Sequence, residues 1–203
     1  MSKHPEECTF AAFRLARSLR ARLVALCRTR DAIAAIEFAF VMPVFLILLI
    51  GVVDFGMALV EDYRLDQAVA AGAEYAAVNA GSVNSTSGAT LASDIATAVE
   101  DANGTAWAND VVVVNDGPTE TITNGTGTAS GTASNANNCY CPTGSPPNWT
   151  WGSSATCGSS CTGGGLAGKF VTITATASYT PLIGFYNLIG SRTLQQSAVV
   201  ETQ

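Results

Sequence analysis

Four cysteines stand close together late in the chain: Cys139-Tyr140-Cys141, then Cys157 and Cys161. Such a cluster either closes disulfides or holds a metal through thiolates. Structural zinc sites use paired C-x2-C spacings. Here the spacings are C-x-C and C-x3-C, so disulfides are the leading reading and four-thiolate zinc the alternative. Four cysteines allow three pairings, and sequence does not choose among them. A bridge across the one-residue gap of Cys139 and Cys141 would be strained, which favours two cross-links between the pairs. Closing a loop of about 15 residues contributes about 3 kcal/mol in the chain-entropy model, a useful amount for a segment with little core of its own.

Other reactive combinations are sparse. The chain has one histidine, His4, so a Ser-His-Asp, Cys-His or His-rich metal site is not expected in the body of the protein. Gly163–Lys169 (GGGLAGK) has the frame of a phosphate-binding loop, but Phe170 follows where a magnesium-binding Ser or Thr is needed. The carboxylate pairs Glu61-Asp62 and Glu100-Asp101 lie in polar stretches and read as solvated faces. No catalytic residue, metal site, cofactor or small-molecule substrate is expected, and an enzyme is the weakest of the functional classes.

Charge has its own pattern. Lys and Arg number 10 against 16 Asp and Glu, a net −6, which argues against a nucleic-acid partner. Seven of the basic residues precede Asp31. Glu37 and Asp54 then bracket sixteen uncharged residues, FAFVMPVFLILLIGVV. From Ile33 to Val60 a helix would run roughly 42 Å, against about 30 Å of bilayer hydrocarbon. Leu46–Ile50 is apolar on every face, which suits lipid better than a one-sided protein core. Pro43 is tolerable in such a span. The basic flank puts the N-terminus in the cytoplasm and the residues after about 61 outside. Leu15, Leu19, Leu23 and Leu26 are spaced for an amphipathic stretch on an anionic leaflet, or the segment is only a charged leader. Gly56-Met57-Ala58 offers a secretory cleavage site, although the leader would then be far longer than usual.

The elements that carry these residues follow from periodicity. Residues 61–79 are rich in helix formers, and Leu65, Val69, Gly72 and Ala76 share one face, so the helix is expected to continue from Ile33 to Ala80. Thr90–Asn103 reads as a second helix and Val111–Val114 as a buried strand. Residues 116–168, rich in Gly, Ser, Thr and Asn, read as a long loop or a loosely structured surface. In Phe170–Tyr179, Val171, Ile173, Ala175, Ala177 and Tyr179 alternate with Thr and Ser, a strand with one buried face. Pro181 ends it, and Leu194–Glu201 is a weaker last strand. The expected fold is α+β: a long N-terminal transmembrane helix, then an exported domain with a small antiparallel sheet and a disulfide-bearing Gly/Ser/Thr-rich loop. The expected divisions are a basic leader (1–32), a membrane helix (33–60) and an exported domain (61–203).

Residues 28–56, RTRDAIAAIEFAFVMPVFLILLIGVVDFG, resemble the N-terminal motif of TadE-like proteins, minor pilins or pseudopilins of the tight-adherence (Flp) pilus system. The shared features are the Arg-rich stretch, Ala34-Ala35-Ile36-Glu37-Phe38-Ala39, Pro43, Gly51 and Asp54-Phe55-Gly56. The cysteine cluster followed by a strand ending in Thr180-Pro181-Leu182 is similar too, more loosely. The resemblance implies cleavage by a prepilin peptidase at the Ala32-Ile33 bond, five residues before Glu37, with Ala32 standing where the family has Gly. It implies the membrane, other pilins and the pilus assembly machinery as partners, and Glu37 as the charge used in assembly. The alternative is an uncleaved, membrane-anchored adhesin or binding protein.

Overall fold

The computed structural model describes residues 30–103, 108–145, 148–181 and 192–203. The basic leader, with its leucine stripe, His4, Cys8 and Cys27, falls outside them up to residue 29. The chain divides into two compact units, residues 1–53 and 54–203.

Helix α1 (Arg30–Val78) passes through both units and contains Pro43. It starts and stops within three residues of the expected bounds. At its end the Asn79 amide and side chain both donate to the Tyr75 carbonyl oxygen, at 3.1 and 2.9 Å, and a 3-10 turn (Ala80–Ser82) follows. Asn84 then opens helix α2 (Gly88–Asn103): its Oδ1 accepts from the amides of Thr86 and Ser87, both at 2.9 Å. These bonds hold the turn that leads into the helix, and the Gly88 amide donates to the Asn84 carbonyl oxygen at 2.8 Å. Leu91, Ala92, Ile95, Ala96 and Val99 form the buried stripe of α2.

Five antiparallel strands make the main sheet: β1 (Ala108–Val114), β2 (Thr119–Thr123), β3 (Thr126–Ser130), β8 (Phe170–Tyr179) and β9 (Arg192–Glu201), in the order β3-β2-β1-β8-β9. Strand β8 occupies the expected span, and its alternate residues Val171, Ile173, Ala175, Ala177 and Tyr179 are buried as the period of two requires. Helices α1 and α2 close on that face. Leu65, Ala68, Val69 and Ala76 of α1 share one core with the α2 stripe and with Val112, Val114, Ile122 and Ile173. Gly72 marks a close approach of α1 to α2 and β8: a Cβ there would lie 2.6 Å from Val99 Cγ2 and 3.3 Å from Ile173 Cδ1.

Three expectations need correction. The stretch 116–168 is not a long loop. It supplies β2 and β3 to the main sheet, a 3-10 helix (Ala133–Asn137), and the short strands β4 (Cys139–Tyr140), β5 (Thr143–Ser145), β6 (Asn148–Thr150) and β7 (Ser154–Ala155). Short polar side chains hid these strands, because a strand with little apolar character has no visible alternation. The four valines are not uniformly buried either. Val112 and Val114 face the core while Val111 is 38% exposed, since among the described residues the helices pack on the face that bears Val112 and Val114. Nor is Glu61-Asp62 a solvated pair: Asp62 Oδ1 accepts from Gln196 Nε2 of β9 at 3.0 Å, and Glu61 Oε2 is buried without a hydrogen-bond partner.

Candidate functional site

The chemistry most open to a partner lies in the first part of α1. Ile36, Phe38, Phe40, Val41, Val44, Leu48 and Val52 are all more than half exposed. At 100° per residue these positions span about 200° of the helix circumference, and the exposed Leu46, Leu49 and Val53 occupy the remaining arc, so one buried stripe cannot account for them. The helix is long and apolar enough to cross a membrane. Glu37 is exposed near the start of this surface. For Ala32 and Ile33 only the helical backbone is described.

Within the second unit α1 changes character. Asp54, at the far end of the uncharged run, is only 7% exposed. The Tyr179 hydroxyl donates to the main-chain oxygen of Asp54 at 2.9 Å. Burial pushes the Tyr179 phenol upward, and the nearby carboxylates of Asp54 and Glu61 push it further, so it remains a donor at neutral pH.

Two disulfides hold the opposite end of the domain. Cys139 pairs with Cys157 and Cys141 with Cys161, with Cα atoms 5.0 and 5.6 Å apart. Both link one pair of the cluster to the other, and sulfurs paired in this way are not zinc ligands. Between them Tyr140 exchanges backbone hydrogen bonds with Gly168. Tyr140, Trp151, Trp149 and Phe170 form a chain of edge-to-face contacts, each with centroids 5.8 Å apart. The loop is thus cross-linked and packed through aromatic rings.

Residues 32–74 match the family model described as TadE-like protein. The match covers the exposed apolar surface of α1, Glu37, Asp54 and the part of the helix that enters the domain core. It leaves the sheet and the disulfides outside. No curated protein and no solved structure matches the chain.

Three buried polar residues, Asn115, Asp110 and Glu120, escaped the reading of the sequence. Asn115 is fully buried; its Nδ2 donates to the carbonyl oxygens of Asn138 and Ala136 at 2.6 and 3.2 Å, and its Oδ1 accepts from the Phe170 amide at 3.2 Å. It joins the β1–β2 turn to the disulfide segment and to β8. The turn itself was legible, since Asn115-Asp116-Gly117-Pro118 follows the valines. Asp110, in β1, is 1% exposed, and nothing in its local sequence marks it. The Gly163–Lys169 frame ends as expected in a strand, and Lys169 Nζ donates to the Val83 carbonyl oxygen at 3.0 Å.

Proposed function

We propose that this protein is a minor pilin or pseudopilin of a tight-adherence (Flp-type) pilus, a structural and assembly component and not an enzyme. The observation that carries the reading is the coincidence of the TadE-like match over 32–74 with a helix surface that is apolar all round and bears one early carboxylate. In a bilayer that surface is stable alone; in a pilus it packs against the same surface of other subunits.

In this reading residues 1–32 are the cytoplasmic leader, 33–60 span the inner membrane and 61–203 form the exported domain. Prepilin peptidase cuts between Ala32 and Ile33, and the new ammonium of Ile33 pairs with Glu37 of a neighbouring subunit. An oxidising compartment suits the two disulfides, which supports export of the C-terminal domain. N-terminal sequencing of membrane-purified protein tests it: Ile33 at the terminus is expected, and Met1 would overturn processing. A second reading, an uncleaved membrane-anchored adhesin, is favoured by one observation, Ala32 in place of the usual glycine before the cut. The same experiment separates the two.

A further inference from the structure

Asp110 sits in the middle of the exported domain's interior. It lies on the helix-covered face of β1, in register with Ile122 of β2 and Ala175 of β8. It is 1% exposed, and neither carboxylate oxygen has a hydrogen-bond partner. The groups that act on it electrostatically are also acids: Glu100 from the last turn of α2 and Glu120 from β2, itself 8% exposed. The neighbours in register are neutral, and α1 contributes the neutral Leu65, Ala68, Val69 and Ala76 to this core. An ionised carboxylate placed there lacks both solvent and a compensating charge, a costly arrangement.

We propose that Asp110 is a proton-operated latch: protonated, it lets α2 close on the sheet, and ionised, it opposes that closure through its own burial and its repulsion from Glu100 and Glu120. Burial is the largest cause acting on Asp110, followed by Glu100; its own main-chain amide, close but outside hydrogen-bonding geometry, opposes them and Glu120 adds to them, and together they push the carboxyl up to about 7. The sign follows from proton counting. In the unfolded chain Asp110 loses its proton in the ordinary carboxylate range, whereas the closed domain keeps it until near neutrality. Between those limits the closed state holds a proton that the open state has released. Closure therefore weakens as pH rises through that window and stops weakening above it. On the proposed topology this domain meets the pH outside the cytoplasm, so acid surroundings tighten it and neutral or alkaline ones loosen it.

Hydrogen exchange on the full-length protein in detergent micelles tests the latch. After correction for intrinsic chemistry, opening of α2 and β1 amides should increase by up to about tenfold per pH unit between pH 5 and 7, then level off, as release of one proton requires. Asp110→Asn should remove the slope and leave the domain better protected than wild type at pH 8. Glu120→Gln should move the levelling-off point to lower pH. An unchanged slope in Asp110→Asn would overturn the proposal. So would protection at pH 8 restored by calcium in wild type but not in Asp110→Asn, since Asp110 would then be a cation ligand. Should Asp110→Asn not fold, a carbon-13 carboxyl titration of wild type decides: a midpoint near neutrality supports the latch, and one below pH 5 removes it.

Discussion

Tyr179, the last residue of β8, donates its hydroxyl proton to the main-chain oxygen of Asp54, 2.9 Å away on α1. The bond joins residues 125 positions apart, and Asp54 is the residue at which the second compact unit begins. Tyr179→Phe keeps the ring in its buried place and deletes only the donor. It should lower the stability of the second unit by about 1 kcal/mol, the usual net value of one such bond. Thermal unfolding followed in the near-ultraviolet measures this, and an unchanged midpoint would show that the bond contributes nothing.

Glu37 carries the assembly reading. Loss of one partner from a buried charge pair costs about 3–5 kcal/mol, because the other charge is left uncompensated. Glu37→Gln and Glu37→Ala should therefore insert normally into the membrane yet fail to co-purify with pilus components or support piliation. Normal piliation with either variant would remove the charge-pairing mechanism. Asp54 is a poor comparison site, since its burial in the domain makes reversal of its charge a folding defect as well.

Non-reducing peptide mapping should recover Cys139 linked to Cys157 and Cys141 linked to Cys161. Each bridge should contribute about 2–4 kcal/mol. Cys139→Ser should be the more damaging single change, because Cys139 is 1% exposed and a serine there buries a hydroxyl. Recovery of a Cys139–Cys161 peptide would refute the pairing.

Gly72 allows α1, α2 and β8 to meet. Gly72→Val should destabilise the domain by about 1–3 kcal/mol through overpacking, against a gain of only a few tenths from better helix propensity. Denaturant titration reads the difference. A more stable Gly72→Val protein would mean that Val99 and Ile173 can move aside.

How much could be read in advance depended on the range of the forces involved. The first part of helix α1 announces itself through an unbroken apolar run, and its second part and strand β8 through apolar residues repeating at intervals that one element imposes on its own side chains. The face of Leu65, Val69, Gly72 and Ala76 was legible for the same reason, as was the exposed surface around Phe38–Val53. The β2–β3 hairpin was half legible. Its Asn124-Gly125 turn, with φ of 52° and 72°, is a strong local signal, but the flanking Thr and Gly residues show no apolar alternation.

The remaining features lie between distant segments. Which cysteines pair depends on how the backbone brings Cys139 to Cys157 and Cys141 to Cys161. Asp54, Asp110 and Asn115 look like surface residues in their local context, and each is buried. The helix type, the alternating strand and the apolar span are properties of a chain segment and its solvent, so the order of residues along the chain already determines them. Burial of a polar group depends on what a remote element lays over it and whether that element brings a partner. For Asn115 the disulfide segment brings carbonyl oxygens, and for Asp110 helix α2 brings another acid. That difference exists only once the tertiary structure has closed, because desolvation and pairing act through space and carry no signature in neighbouring residues.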